Sequence, residues 1–175
     1  ELLNRLAAFR VAVPMEAAEL MMKNADDTVP RVVACGLGDN ATKSLSFPAP
    51  QQDAIRELIG WGLLTPMYEG NELSHLDVHS LVRDFCREKQ GGVWRDRLRK
   101  AASYYINLTR STHDKQKTPA MVWSDMEAFE LLMEAEAYDY AAQLLLGAHE
   151  LLRRWGYRQY IDRQYLRVVD QVDRA

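Results

Sequence analysis

The chain has 175 residues, 47% apolar and 27% charged, with a net charge of −3 at neutral pH. That is one large domain or two small ones with ample core-forming side chain, which excludes wholesale disorder. Apolar runs fall far short of the ~20 residues of a bilayer span, nothing reads as a signal peptide, and the acidic balance argues against a dedicated nucleic-acid or membrane-surface binder.

Leu2, Leu6 and Phe9 recur at helical spacing, predicting a short helix over residues 2–10. Val11, Val13 and Pro14 interrupt it, and Pro14 suits the first turn of a second helix over 15–23. Residues 31–35 form a short apolar segment of open type. From Gly36 to Pro50 the composition turns to Gly, Asn, Ser and Pro, the mark of a loop. Over 52–64 a stripe of Ala54, Ile55, Leu58, Ile59 and Leu63 faces away from Asp53, Arg56 and Glu57, predicting an amphipathic helix. Two short strands follow, 64–68 and 72–79, around the turn Glu69-Gly70-Asn71, with Pro66 confining the first to an edge. A helix over 80–89 takes Ser80 as its N-cap and Leu81, Val82, Phe85 and Cys86 as its apolar face. Gly91-Gly92 ends it and is the natural boundary.

The second half reads as all helix. Trp94, Leu98, Ala101, Tyr105 and Leu108 form one stripe on a helix to about residue 110, and a polar loop spans 111–119. Further helices are predicted near 125–135, 139–153 and 159–173. The stretches beginning at Ala137 and Gly156 have a similar small-aromatic-polar look 19 residues apart, which suggests an array of helical hairpins. Tyr104, Tyr105, Tyr138, Tyr140, Tyr157, Tyr160 and Tyr165 serve either packing between helices or a partner's docking.

The order helix, striped helix, hairpin, helix is that of a winged helix. Leu3-Asn4-Arg5-Leu6-Ala7-Ala8-Phe9 and Met15-Glu16-Ala17-Ala18-Glu19-Leu20 resemble the opening helices of the winged-helix segment in STAND-class (NB-ARC-like) ATPases. Residues 54–64, ending Trp61-Gly62-Leu63-Leu64, resemble that family's helix running into the wing. Val78-His79-Ser80 is similar to its Met-His-Asp motif, with Val and Ser in the outer places. The resemblance implies a mainly α chain: a winged-helix domain over 1–90 with a β-hairpin wing, then a tetratricopeptide-like helical array over 93–175. It implies that His79 contacts the phosphate of ADP in a longer parent protein, holding the winged helix against an upstream nucleotide-binding domain of the same chain; the plainer alternative is a strand-end residue that caps the next helix. ATP or ADP is thus the parent's cofactor, with none in this chain, and a protein or peptide partner is expected at the repeats. The chain opens on Glu1 rather than Met and reads as a cytoplasmic, non-catalytic piece of such a protein.

Other constellations are weaker. Gly36 to Ser44 ends in Lys-Ser, but Leu37 and Thr42 stand where a phosphate loop needs its glycines. His75, Asp77 and His79 share one face of a strand, yet i and i+4 lie about 13 Å apart, too far for one metal ion. Cys35 and Cys86 are too few for a disulfide framework and sit among apolar residues, as inert buried thiols do. The main alternative is a winged-helix DNA-binding transcription regulator with a helical effector domain. Against it, the face that would enter the groove (Gln51, Gln52, Asp53, Arg56, Glu57) carries one positive charge, and the wing is acidic.

Overall fold

The computed structural model describes residues 2–23, 49–110 and 118–173. The segment 31–35, the stretch 36–44, Cys35 and the loop over 111–117 lie outside the described residues. In chain order the elements are α1 (Leu2–Leu6), β1 (Val13–Pro14), α2 (Met15–Lys23), α3 (Ala49–Gly60), β2 (Leu64–Glu69), β3 (Glu72–Val78), α4 (Ser80–Gln90), α5 (Gly92–Arg110), α6 (Pro119–Glu134), α7 (Tyr138–Arg154) and α8 (Arg158–Val172). The chain is mainly α, and it divides into two compact units, Glu1–Arg97 and Leu98–Ala175, with the division inside α5.

The first unit is built on an antiparallel sheet of order β1-β3-β2, the strand order of a winged helix. Central β3 places Leu76 opposite Val13 on one side and Pro66 on the other. Its pleat sends Leu76 and Val78 inward while His75 and Asp77 stay half-buried. β2 lies at the edge of the sheet, the position in which a strand proline such as Pro66 is tolerated. The wing turn is shorter than the sequence suggests: Glu69 pairs with Glu72, leaving Gly70 and Asn71 as the loop. The interruption at Val13-Pro14 is itself a strand, two residues long, and α2 starts directly after it at Met15.

Helix α1 is shorter than expected, ending at Leu6, and the following Ala7, Ala8 and Phe9 are fully buried. Arg5 Nη1 donates to the Met21 carbonyl at 2.7 Å, tying α1 to α2. Helix α3 begins three residues before the predicted start, at Ala49, and stops at Gly60. Its end is a left-handed cap. The Gly62 N–H donates to Ile59 O at 2.9 Å and the Leu63 N–H to Leu58 O at 3.0 Å, with Gly62 at φ 71°. That cap turns the chain from α3 into β2.

The second unit holds α6, α7 and α8 as successive antiparallel neighbours. Helix α6 starts at Pro119, six residues before the predicted start, because Thr118 caps it: its Oγ1 accepts from the Met121 N–H at 3.4 Å, and Pro119 takes the first helical position. The core is Val122, Met126, Phe129 and Leu132 of α6, Leu145, Ala148 and Leu152 of α7, and Ile161 and Val168 of α8. The α6–α7 and α7–α8 turns are the same device. Glu136 and Gly156 both sit at positive φ, each N–H bonding back three residues, and the next N–H bonding back five, at Ala137 to Leu132 and Tyr157 to Leu152, both 2.9 Å. The repeat is therefore 20 residues from Glu136 to Gly156, one more than the look-alike stretches suggest.

Two glycines of this unit are expected to respond oppositely to the same change. No atom lies within 4 Å of a Cβ built on Gly147 or Gly156, so the backbone alone decides. Gly156→Ala, at φ 85°, is expected to lower stability by about 1–2 kcal/mol. Gly147→Ala, inside α7, is expected to raise it by about 0.5–1 kcal/mol. Urea unfolding of the two variants checks both signs.

Candidate functional site

His79 stands where β3 ends and α4 begins. It is the N-cap of α4 (φ −54°, ψ 137°), a place the sequence had suggested for Ser80, which is instead the first helical residue. The Leu81 N–H donates to His79 Nδ1 at 3.3 Å, satisfying one of the helix's open donors. With Nδ1 accepting, the neutral imidazole carries its proton on Nε2. The side chain is exposed, and among the described residues no partner takes that Nε2–H. The junction thus presents a single neutral hydrogen-bond donor at a helix N-terminus, an arrangement suited to an anion.

The predicted apolar face of α4 splits in two. Cys86 is buried and Val82 half-buried, whereas Leu81 is 71% and Phe85 60% exposed. Each pair is spaced i, i+4, and the pairs are one residue (about 100° of helix) apart, so only one of them can face the core. Leu81 and Phe85 therefore lie on the surface, two and six residues after His79.

Neither His75 nor Asp77 joins His79 in a cluster, and among the described residues no three His, Cys, Asp or Glu side chains could hold a metal ion. The Ser74 hydroxyl donates to Met67 O at 3.1 Å across the hairpin, and His75 Nδ1 lies 3.1 Å from the same hydroxyl. Cys86 donates from Sγ to Asn4 Oδ1 at 3.2 Å. Burial pushes its thiol up from the ordinary value, against the opposing pull of Arg97. On α3, Arg56 is engaged by Asp53 at 3.1 Å and Glu57 is exposed.

Sequence reasoning overlooked a second surface, on α6 and α8. Trp123, Glu127 and Glu130 follow one another at i, i+4 and i+7 on α6, a spacing that could have flagged them. Trp123 meets Tyr157 edge-to-face at 5.4 Å and Tyr160 at 6.1 Å. Further along, Arg167 of α8 grips Glu130 with two bonds, 2.6 and 3.0 Å, and donates to the buried Gln164 at 2.6 Å. The tyrosines differ in exposure. Tyr104 and Tyr105 are buried, Tyr140 and Tyr157 exposed, and Tyr138, Tyr160 and Tyr165 half-buried.

No protein-family model, curated protein or solved structure matches the chain. No helix among the described residues is long and apolar enough to cross a membrane.

The thiol environment makes one expectation immediate. Because its raised pKa keeps Cys86 protonated near neutral pH and burial shields it, iodoacetamide is expected to leave it unmodified in the folded chain and to alkylate it in urea. Peptide mass spectrometry distinguishes it from Cys35.

Proposed function

We propose that this chain is a non-catalytic regulatory module of a STAND-like, NB-ARC-like signalling ATPase. Its winged helix gates a nucleotide-binding domain upstream in the same protein, and its helical hairpins bind a protein or peptide partner in the cytoplasm. The observation that carries the reading is the division of labour on His79: Nδ1 holds the α4 cap while Nε2–H faces outward as a donor. A phosphate oxygen of ADP is a strong acceptor for such a group, and the α4 N-terminus adds a favourable field. The exposed Leu81 and Phe85 supply apolar surface beside it for the nucleotide domain to cover.

The mechanism is a population shift. Contacts through His79 favour a closed, ADP-holding state, and partner binding at the hairpins favours an open one. A hydrogen bond to a charged acceptor contributes about 1.5–3 kcal/mol, so its loss moves the balance on the order of ten- to a hundredfold.

The test uses the protein that carries this chain behind its nucleotide domain. His79→Ala removes both the cap and the phosphate contact, whereas His79→Asp keeps an N-cap acceptor and sets a negative charge against the phosphate. Both variants are expected to release ADP at least tenfold faster, and His79→Asp is expected to keep the melting temperature of the unaltered protein. Unchanged ADP release in both variants would remove the sensor role.

The DNA-binding alternative finds no support in the electrostatics, since the one basic side chain on the outer face of α3 is paired and the wing presents Glu69 and Glu72. Filter binding against random duplex at low salt is expected to show no salt-steep association. Micromolar binding that weakens sharply with salt would reverse that choice.

A further inference from the structure

We infer that the face shared by α6 and α8 takes a basic segment of a partner polypeptide, with a lysine or arginine side chain seated against Trp123 beside Glu127. The inference rests on the reading of the hairpins as the partner-binding half, and it names the partner's chemistry.

The same face shows what completes it. At Glu130, a carboxylate stands next to an aromatic ring, Phe129, and an internal cation fills the place between them. Arg167 holds Glu130 through two bonds while its guanidinium carbon lies 5.8 Å from the Phe129 ring centre. This is a carboxylate, a ring and a guanidinium, each satisfied by the others.

One turn earlier on α6 the first two parts recur without the third. Glu127 is half-buried, four residues after Trp123 and therefore on the same side of the helix. It is close enough to Tyr160 to help raise that phenol, behind the larger effects of burial and Glu130. Yet among the described residues Glu127 has no hydrogen bond or ion pair, whereas Glu130 has Arg167 and Glu150 has Arg154. Beside it, Trp123 and Tyr157 keep 41% and 43% of their surface exposed although they pack edge-to-face.

Indole is the best of the side-chain faces for a cation, and an unpaired carboxylate within a turn supplies the counter-charge. An acidic segment would meet the Glu127 carboxylate with like charge. A purely apolar one would leave the Glu127 carboxylate covered and unpaired, at the desolvation cost of a buried charge. A basic side chain satisfies both neighbours.

The probe is a short peptide alternating glycine and arginine, blocked at both ends, titrated into the whole chain at about 0.15 M salt. Binding is followed through the Trp123 indole N–H signal in NMR. The expected result is a saturable shift of that signal, with the affinity, taken for every variant by titration calorimetry, weakened about fivefold by Glu127→Gln and by Trp123→Ala and unaffected by Glu150→Gln, which removes an exposed paired carboxylate. Circular dichroism establishes that each variant is folded.

Equal weakening by Glu127→Gln and Glu150→Gln would mean diffuse attraction to an acidic protein and would overturn the inference. So would a Trp123 signal that does not move, or equal binding of the glutamate counterpart of the peptide. If peptide binding fails while the His79 variants still speed ADP release, the basic segment falls and the switch stands. If the reverse pattern appears, the switch falls and the site on α6 and α8 stands.

Discussion

Strand β3 is the constraint on which the first unit depends. It is hydrogen-bonded on both sides, to β1 and to β2, and its period-two pleat leaves only one register that buries Leu76 and Val78 together. A slip of one residue would bury His75 and Asp77 and turn both apolar side chains outward. The register therefore also fixes where the strand stops, and with it the position of His79. The next residues enter α4 immediately, so the ring that ends the sheet is also the ring that caps the helix.

That coupling gives His79 its two separate nitrogens. An aspartate cap would satisfy Leu81 equally well but carries no donor, and a serine cap donates from the same oxygen that accepts, whereas the imidazole sets acceptor and donor on opposite sides of its ring. The second unit rests on a different repetition. Left-handed residues at Glu136 and Gly156 end α6 and α7 in the same way, and the repeat brings α8 back against α6. Arg167 and Glu130 record that return, as do Trp123, Tyr157 and Tyr160. A glutamate at positive φ is an unusual occupant of such a turn, since its Cβ crowds the backbone where glycine's absence of one does not.

Much of this was legible in the sequence, and the failures have physical causes. Helix α2 and the hairpin were readable because Pro14, Gly70 and the apolar alternation of Leu76 and Val78 punctuate the chain strongly. Strand β1 was not, because two residues carry no period and a proline there looks like a helix start. Helix α6 was predicted late because its first turn follows a polar stretch and its buried residues surround the axis, from Val122 through Leu131 to Met133, leaving no narrow stripe. On α4 the apolar residues were right and the assumption of a single face was wrong. Leu81 and Phe85 look like core in the sequence and are surface in the structure. The phosphate contact of His79 is read through a motif resemblance alone, whereas the plainer reading, a strand-end residue capping the next helix, is the one the geometry shows. The face on α6 and α8 needed the fold, because Tyr157 and Arg167 approach α6 only once α7 has turned the chain around.

The most direct measurement is the protonation of the two His79 ring nitrogens in this chain, read from long-range nitrogen–proton couplings near pH 8, where an ordinary imidazole is neutral. If His79 both caps α4 and offers a donor, Nδ1 is unprotonated and Nε2 carries the hydrogen. A ring protonated on Nδ1, or one exchanging evenly between the two forms, would contradict the cap and remove the outward-facing donor on which the proposed switch depends.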